Sequence, residues 1–281
     1  MTPATRWLWV LTVPCLAFLL TAFVLPVALL FASSFTGEAG FSLSSYGEFV
    51  RDPVSQRAYL RTVRIAGLVT LIGMVICYPA AYAVSLMAAR WRVLLIALVI
   101  LPLMTNPVAR TFAWLVILGR KGLVNNTLYG LGIIPEPIRL LYTENAISIG
   151  LFHLFLPLMM LPLISAFENV PRDVVLAARN LGASELQVFT RVLMPLTRDG
   201  LAIGGTLVFT GCVTAYVTPA ILGGSRHLML STLLYQKASV TLDWVGGTVV
   251  AVVMFVTTLA AIYLIRVLSG AHRTRPTAGA L

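Results

Sequence analysis

Charged side chains are scarce in this sequence. They make up 11% of the 281 residues, whereas 59% of the residues are hydrophobic. Soluble globular domains carry about 25% charged residues, so the composition excludes an ordinary soluble domain. The mean hydropathy of +0.92 points the same way. The composition therefore indicates an integral membrane protein.

Acidic residues are missing from the long apolar runs. All ten Asp and Glu residues fall in loops or at the ends of these runs. A secondary transporter or channel subunit driven by an ion gradient usually carries intramembrane carboxylates for H⁺ or Na⁺. That class stays open as an alternative, with the lack of such a carboxylate against it. The chain also has no paired carboxylates and no nucleophile–base set, so we predict no catalytic residues.

Cysteine is rare, and its spacing fits no ligand set. Cys15, Cys77 and Cys212 all fall inside apolar runs, which argues against a metal site or a disulfide framework and predicts buried thiols. The sequence also lacks the nucleotide-binding pattern G-x-x-x-x-G-K-[ST]. Any ATP-driven step must therefore take place on another chain.

Cations outnumber acids, and the formal net charge is +10. The Lys and Arg residues are spread over all the loops rather than gathered in one stripe, so the footprint of a nucleic-acid-binding protein is missing. Lipid phosphates are the anions expected near them. Both sides of the membrane receive similar numbers of cations, and only Arg90 and Arg92, in a very short loop, weakly favour one orientation.

Six charge-poor runs are long enough to cross a bilayer as helices, which takes about 20 apolar residues. We predict an all-α, polytopic membrane protein with one transmembrane domain over residues 1–281. The first run is too long for a signal peptide and is expected to stay as an uncleaved span. The predicted spans are 8–34, 65–89, 93–118, 146–167, 201–224 and 245–266.

The loop 168–199, between the fourth and fifth spans, looks like part of a soluble protein. Pro171 suits the first turn of a helix, and Gly182 suits the residue that follows its end. An apolar face recurs at i, i+3, i+4 and i+7, formed by Val174, Ala177, Ala178 and Leu181. The loop therefore predicts a helix that stops at a glycine corner.

A second helix should follow the glycine corner. Ser184 and Gln187 match the S-x-x-Q capping box, and Pro195 is expected to interrupt the helix. Its apolar side consists of Leu186, Phe189 and Leu193. The pair could lie flat on lipid headgroups or dock into a groove of a cytoplasmic partner, and the small residues on the first face suit docking.

The fifth span combines glycines with polar side chains. Glycine in a membrane helix serves close packing or marks broken backbone beside a water-filled path, and both interpretations stay open. The glycines are Gly204, Gly205, Gly211, Gly223 and Gly224. The candidate path residues are Thr210, Thr214, Tyr216, Thr218 and Pro219.

Arg110 lies well inside the third span. A charge at that depth faces protein or water rather than lipid. Arg110 therefore either joins the translocation path or pairs with Glu136 or Glu144 and supports the structure, and we expect the pairing. His153, in the fourth span, is expected to be packed and hydrogen-bonded rather than to relay protons.

The stretch AARNLGASELQVFTRVLMPL resembles the conserved cytoplasmic loop of permease subunits in bacterial ATP-binding cassette importers. The family pattern is Glu-Ala-Ala, three residues, Gly, and a stretch that ends in an aliphatic residue, one further position, Leu or Met, and Pro. Leu176 stands where the family has glutamate. The matching positions are Ala177, Ala178, Gly182, Phe189, Val192, Met194 and Pro195.

The resemblance extends from about Leu60 to Leu268. The segments RTFAWLVILGRKGLVNNTLYGLG, PIRLLYTENAISIGL and AYVTPAILGG look like the subgroup that imports spermidine and putrescine, and more like its first permease subunit than its second. That subgroup often has Trp-Pro near the sixth span, whereas Val245 follows Trp244 here. Permeases for iron, phosphonates and opines share much of the pattern.

The resemblance implies a transport subunit in the bacterial inner membrane, with both termini and the loop 168–199 in the cytoplasm. Implied partners are a second homologous permease subunit, an ATPase subunit dimer, an extracytoplasmic solute-binding protein and membrane lipids. ATP and Mg would bind to the ATPase subunits, with no cofactor on this chain. The implied coupling residues are Leu176, Ala177, Ala178, Gly182, Ala183, Ser184, Phe189 and Pro195.

Overall fold

The structure is a computed structural model that describes residues 12–37 and 40–269. Within these ranges the chain is almost entirely helical, and its β structure is a two-residue antiparallel ladder that joins Thr36–Gly37 to Gly40–Phe41. The all-α prediction is confirmed apart from this ladder. Residues 8–11 of the first predicted span and both termini of the chain lie outside the described residues.

The helices are numbered here in chain order. Helices α1 and α9 each contain a π-helical turn, at Leu20–Val24 and Val188–Leu193, and another π-helical turn, Gln236–Val240, follows α11. The helices are α1 (Thr12–Ser34), α2 (Ser44–Arg51), α3 (Pro53–Ser85), α4 (Ala89–Met104), α5 (Pro107–Leu118), α6 (Leu123–Gly130), α7 (Glu144–Glu168), α8 (Arg172–Asn180), α9 (Glu185–Thr214), α10 (Val217–Gly223), α11 (Leu230–Tyr235) and α12 (Trp244–Ser269).

Five of these helices, α1, α3, α7, α9 and α12, are long and apolar enough to cross a membrane. The number rises to six if α4 and the helices after it count as one span bent by 97°. The predicted span 93–118 is therefore not one continuous helix. The break has a local cause, since Pro107 disfavours helical backbone at Asn106, and the Asn106 side chain accepts from the N–H groups of Val108 and Ala109 as the cap of α5.

The predicted fifth span, 201–224, is also interrupted. Helix α9 begins well before it, at Glu185, and ends at Thr214, after which Ala215 is extended and α10 begins. Pro219 has no N–H to donate to the carbonyl of Ala215, four residues earlier. The hydroxyl of Ser231 donates to that carbonyl instead, at 2.6 Å. Pro219 therefore divides this segment, and the hydroxyl of Ser231 donates to the Ala215 carbonyl that the proline leaves without a donor.

The described chain divides into two compact units, where the sequence predicts a single domain. The first consists of the described residues up to Gln56 together with Leu233–Phe255. In it, the ammonium group of Lys237 donates to Asp243 at 2.8 Å, and Asp243 also accepts from the N–H of Gly246. The bond from Lys237 holds the pKa of Asp243 below its usual range. These bonds stabilise the entry into α12.

The second unit contains Arg57–Thr232 and the described residues from Val256 onward. Its core lies where α9 packs along α7 and where α10 packs on α5. Fully buried side chains of this core include Ile147, Leu151, Met159, Leu163 and Leu222. Cys77 and Cys212 are buried as predicted, whereas Cys15 is exposed on α1, because no described residue in the hydrophobic window of α1 is buried.

Candidate coupling surface and translocation path

The first helix of the predicted pair, α8, ends at a glycine corner. Gly182 has a φ of +83°, a conformation that suits glycine because it has no Cβ. The N–H of Gly182 donates to the carbonyl of Arg179 at 2.9 Å, and the N–H of Ala183 donates to that of Ala178 at 3.1 Å. These are the two bonds of a Schellman motif. The predicted corner is confirmed.

The second helix starts at Ser184 with a complete capping box. The hydroxyl of Ser184 accepts from the N–H of Gln187 at 3.4 Å, and the Gln187 side chain accepts from the N–H of Ser184 at 2.9 Å. An exposed ion pair between Arg179 and Glu185, at 2.9 Å, spans the corner. The hydrogen bond to Glu185 raises the pKa of Arg179. The two helices are therefore fixed to each other by local bonds.

This helix pair exposes apolar side chains. Helix α8 has no buried residue, and the exposed fractions are 53% for Leu176, 89% for Leu181 and 72% for Leu186. Ala177 and Ser184 are exposed, whereas Ala178 and Ala183 are half-buried. Several exposed apolar side chains on one short segment are compatible with a binding face. Within the described chain, nothing covers it.

Pro195 does not interrupt the second helix, contrary to the prediction. The chain stays helical from Glu185 to Thr214, and the π-helical turn Val188–Leu193 comes directly before the proline. The N–H of Met194 donates to the carbonyl of Phe189, five residues earlier. This wider turn relieves the clash that a proline ring makes with the preceding turn of an α-helix. The helix pair is thus continuous with a membrane-spanning helix.

An aromatic cluster joins this helix to the ends of α3 and α7. The ring of Phe189 lies 5.3 Å from that of Tyr78 and 5.5 Å from that of Tyr82, measured between centroids. Phe167, in the last turn of α7, lies 5.0 Å from Tyr78 and 5.3 Å from Tyr82. The hydroxyls of Tyr78 and Thr197 form a buried hydrogen bond of 2.8 Å. Phe189 therefore contacts aromatic side chains of α3, which in turn contact Phe167 of α7.

Beside this cluster, a cleft of about 890 Å³ opens between α8 and the turn that joins α3 to α4. Arg92 crosses it to Glu168 in an ion pair of 2.7 Å. Its walls include Tyr82, Leu176 and Arg179. The cleft therefore lies between α8 and the ends of α3, α4 and α7.

The candidate path residues are not all on one surface. Thr214 and Tyr216, on either side of the break between α9 and α10, are exposed, and Thr210 is half-buried. Thr218 and Pro219 are buried inside the chain, with Thr218 only 3% exposed. The structure therefore groups three of the five at the surface near the break and places the other two in the packing of α10.

The glycines of α9 lie in tight helix contacts. A Cβ on Gly204 would come 2.8 Å from the sulfur of Met159, and one on Gly211 would come 2.6 Å from the ring of Phe155. Gly205 faces Met74 of α3 in the same way. Both interpretations of these glycines were open on the sequence, and the contacts favour close packing.

Arg110 is not paired with an acidic residue, contrary to the expectation. Glu144 is held by Arg61 at 3.0 Å and by Arg64, and none of the ion pairs in the described chain includes Arg110 or Glu136. The guanidinium of Arg110 donates to the carbonyl of Pro102. That carbonyl lies in the last turn of α4, where a cation is favoured. Arg110, 9% exposed, thus fastens the bend between α4 and α5.

His153 is packed and hydrogen-bonded, as predicted. The indole N–H of Trp114 donates to Nδ1 of His153 at 3.2 Å, and the two rings meet edge to face with centroids 5.5 Å apart. Because Nδ1 accepts this bond, the neutral histidine carries its proton on Nε2.

Several residues of the coupling region were not predicted from the sequence. Tyr78 and Thr197 are 119 positions apart, and neither belongs to a short motif. Tyr78 and Tyr82 are spaced i, i+4 on a membrane helix, which is the one signal that they share a face.

Comparison with known families follows this geometry. A family profile described as "Binding-protein-dependent transport system inner membrane component" matches residues 9–273. The chain belongs to this family. It is therefore an inner-membrane permease subunit of an ATP-binding cassette importer.

Three curated relatives of this permease are named for polyamine or phosphonate transport. It is 36% identical to the spermidine/putrescine transport system permease protein PotB of Haemophilus influenzae, over 72% of this chain and 70% of that one. Identity to PotB of Escherichia coli is 32%, over 76% and 78%. A putative 2-aminoethylphosphonate permease protein of Salmonella typhimurium, PhnU, is 26% identical over 92% and 91%.

Among solved structures, the permease resembles a chain of a bacterial alginate ABC transporter in complex with an alginate-pentasaccharide-bound periplasmic protein. The TM-score is 0.80 over 96% of each chain, at 16% sequence identity. A second structure of a bacterial alginate importer gives 0.77 over the same coverage, at 15% identity. At this identity the likeness concerns the fold.

Proposed function

We propose that this permease is the first of two permease subunits in an ATP-driven importer of polyamines, and that its helix pair receives the movement of an ATPase dimer. The observation that carries the coupling role is the exposed, doubly capped pair itself. Its apolar side chains have no cover within the described chain, and its second helix continues into the membrane.

The proposed coupling route starts at residues that touch the ATPase. Leu176, Ala177 and the corner at Gly182 and Ala183 would enter a groove of that subunit, with Ala178 behind them and Ser184 capping the second helix. Leu176 makes the contact apolar where the family has a carboxylate. The displacement would then pass through Phe189 to the ends of α3 and α7, while the helix runs on past Pro195.

The energy source in this proposal lies on other chains. ATP and Mg would bind to the ATPase dimer, because this sequence has no phosphate-binding loop of its own. A second homologous permease would complete the path, and a solute-binding protein would deliver the solute. The most apolar stretch of helix α1 contains no buried residue, so α1 would contact lipid or the second permease.

Polyamines are the proposed solutes because the curated PotB relatives are named for spermidine and putrescine. Thr214 and Tyr216 are exposed and Thr210 is half-buried, and hydroxyl oxygens are neutral groups of the kind that can accept from an ammonium group. Arg110 is turned toward the carbonyl of Pro102, so its charge is directed at protein and need not face a cationic solute.

The experiment is uptake into proteoliposomes that contain both permeases and the ATPase dimer, with the binding protein added outside. ATP-dependent, vanadate-sensitive uptake of labelled spermidine or putrescine is the expected result. Uptake of 2-aminoethylphosphonate alone would overturn the polyamine assignment. Uptake that needs an ion gradient and no ATP would establish the secondary-transporter alternative instead.

We propose that the helix pair and both termini face the cytoplasm. In a background with Cys15 replaced by serine, Ser184→Cys should resist an impermeant thiol reagent in intact spheroplasts, and Asn126→Cys should react. Both positions are exposed, so accessibility depends on the side of the membrane. The reverse labelling pattern would invert the topology and remove the ATPase from the helix pair.

A further inference from the structure

The carbonyl of Ala215, at the break between α9 and α10, takes its hydrogen bond from another part of the chain. Pro219 has no N–H to supply the usual donor, and the hydroxyl of Ser231 donates at 2.6 Å across 16 positions. Ser231 is 5% exposed. A buried carbonyl without a donor is costly in a membrane-spanning segment, where water is scarce. The bond from Ser231 therefore fixes the direction of this carbonyl.

The peptide unit that Ser231 holds lies between two candidate path residues. Ala215 has a ψ of 124° and Tyr216 has a φ of −102°, and these two angles orient the planar peptide that joins them. Thr214 comes directly before this unit, and Thr214 and Tyr216 are both exposed. A change in either angle would turn α10, and Tyr216 with it, relative to α9. The bond from Ser231 therefore helps to set how Tyr216 is turned relative to Thr214.

The residue next to Ser231 is tied to α3. The N–H of Leu230 donates to the hydroxyl oxygen of Thr62 at 2.8 Å, across 168 positions. The same hydroxyl donates to the carbonyl of Ala58 at 2.7 Å. Thr62 and Leu230 are both 0% exposed, so water does not compete for the bond between them. We call Thr62, Leu230 and Ser231 the clamp.

The chain on both sides of Leu230 is held by further bonds. Arg61 donates to the carbonyl of Leu228 at 2.9 Å, and the N–H of Met229 donates to the hydroxyl of Thr232 at 2.8 Å. Met229 is 0% exposed, so this second bond is buried as well. A supporting shell of this kind keeps side chains in one geometry. The clamp therefore lies on a segment that is fixed at successive residues.

Helix α3 also contacts α9 at a second place. The hydroxyl of Tyr78 is bonded to that of Thr197 in α9, and the ring of Tyr78 contacts Phe189. Thr62 lies about four and a half turns earlier on α3, roughly 24 Å along its axis. Helix α3 is thus linked directly to the first part of α9 and, through the clamp, to the break that follows the last residue of α9.

We propose that Ser231 is a positioning residue for the translocation path and that the clamp joins this part of the path to α3. The inference rests on the proposed function, which places Thr214 and Tyr216 on the path. Ser231 is buried and acts through the Ala215 carbonyl rather than on the solute. A movement of α3 would reach the break through the clamp, in addition to any movement that α9 transmits along its own axis.

The first test is hydrogen exchange of the complete complex in nanodiscs, measured without solute. The amides of Ala215 and Ala220 donate to the carbonyls of Gly211 and Tyr216, on either side of the break. Peptides that contain these amides should exchange about fivefold faster in Ser231→Ala, the effect that loss of one hydrogen bond has on local opening. Exchange at the unmodified rate would overturn the proposal.

Two threonines of α3 supply a matched pair of variants. Thr62 and Thr70 are both buried, and each donates to the carbonyl four residues earlier at 2.7 Å, but Thr62 also accepts from Leu230. Thr62→Val should therefore accelerate exchange at the break about as much as Ser231→Ala, whereas Thr70→Val should change it less than about twofold. Equal effects of the two valine variants would show a general loss of stability and would overturn the proposal.

The second test is import into proteoliposomes at a saturating concentration of loaded binding protein. A residue that positions the path should change the ratio of the maximal rates for spermidine and putrescine. In Ser231→Ala this ratio should change about threefold or more, as loss of one hydrogen bond allows, and in Thr70→Val it should stay as in the unmodified complex. Faster exchange with an unchanged ratio would show that Ser231 supports the fold alone, and would overturn its role in the path.

Failure of the proposed function would give a different result. If the unmodified complex imports neither polyamine, the polyamine assignment has failed. The exchange experiment needs no solute, so it still decides whether the clamp holds the break. If Ser231→Ala does not assemble, Thr62→Val with Thr70→Val as its control gives the same comparison in both tests.

Discussion

The two ends of α7 present opposite kinds of surface. Beyond Glu168, the helix pair exposes leucines and Ala177 around a glycine corner, whereas the loops near the Glu144 end expose arginines that line clefts. An apolar face recognises a partner by shape and is little affected by salt, and a charged face recognises by charge and weakens as salt rises. The two ends of α7 thus offer surfaces suited to two different recognition chemistries.

The largest effect should come from the backbone of the corner. Gly182→Val should lower transport by about tenfold or more while membrane insertion persists, because a left-handed conformation costs about 1–2 kcal/mol in residues with a Cβ and more in a β-branched one. A Cβ at this position meets no atom within 4 Å, so conformation and not bulk is responsible. The measurement is uptake per assembled complex.

Gly182→Asn is the control for that experiment. Asparagine accepts positive φ far better than valine, and it should retain most of the uptake. If the asparagine and valine variants lose transport equally, or if the valine variant is active, the partner does not recognise the backbone conformation at position 182.

A second prediction contrasts a buried arginine with an exposed one. Arg110→Gln should lower the stability of the complex by about 1.5–3 kcal/mol, the usual worth of a hydrogen bond to a charged group, because the carbonyl of Pro102 loses its donor. Arg120→Gln, at an exposed position that none of the ion pairs in the described chain includes, should leave stability unchanged. Thermal unfolding in detergent measures both, and equal unfolding temperatures would show that Arg110 does not hold the bend.

A third prediction tests how the apolar end is joined to the membrane helices. Tyr78→Phe removes the hydroxyl bonded to Thr197, which should lower the free energy of unfolding by about 1 kcal/mol. The variant should also hydrolyse more ATP for each solute molecule that it imports. Tyr82→Phe keeps the same two ring contacts and, as none of the hydrogen bonds described here uses its hydroxyl, should behave as the unmodified protein. Matching ATP-to-solute ratios for the two variants would exclude Tyr78 from the coupling route.

The smallest effect concerns acid pH in the loop between α11 and α12. The bond from Lys237 lowers the pKa of Asp243. The stabilisation by this bond is therefore complete above the ordinary aspartate pKa of about 4, and it is lost as pH falls through the lowered pKa. Asp243 is 43% exposed, and the contribution should stay below about 1 kcal/mol. Hydrogen exchange of the Gly246 amide should show reduced protection at pH 3 relative to pH 5. Asp243→Asn should show no such change.

The parts that sequence could predict are those fixed by near neighbours. The corner at Gly182 and the capping box at Ser184 depend on residues within a few positions, and both were predicted in place. Pro195 was misjudged because a π-helical turn, which has no simple signature, accommodates it. The partner of Arg110 was misjudged because Glu144 is already held by residues of another helix.

Contacts between residues far apart in the chain explain the features that the sequence does not predict. The hydroxyl of Tyr78 is bonded to that of Thr197 across 119 positions. The side chain of Asn125 is bonded to the backbone of Ile138, in a loop where no sequence periodicity predicts the contact. The bend after Met104 is an intermediate case, since Asn106 followed by Pro107 carries a local signal that the apolar run conceals. A hydropathy pattern locates a span but does not show where proline and a cap divide it.

The continuity of α9 has a geometric consequence. Its 30 residues, from Glu185 to Thr214, form a rod about 45 Å long. If Phe189 acts as a pivot near one end, a tilt of about 5° displaces the far end by roughly 3 Å, several times the displacement at the short arm. The far end is the break at Ala215, beside Thr214 and Tyr216. A sub-ångström shift near Glu185 would in this way move the backbone beside Thr214 and Tyr216 by about the diameter of a water molecule.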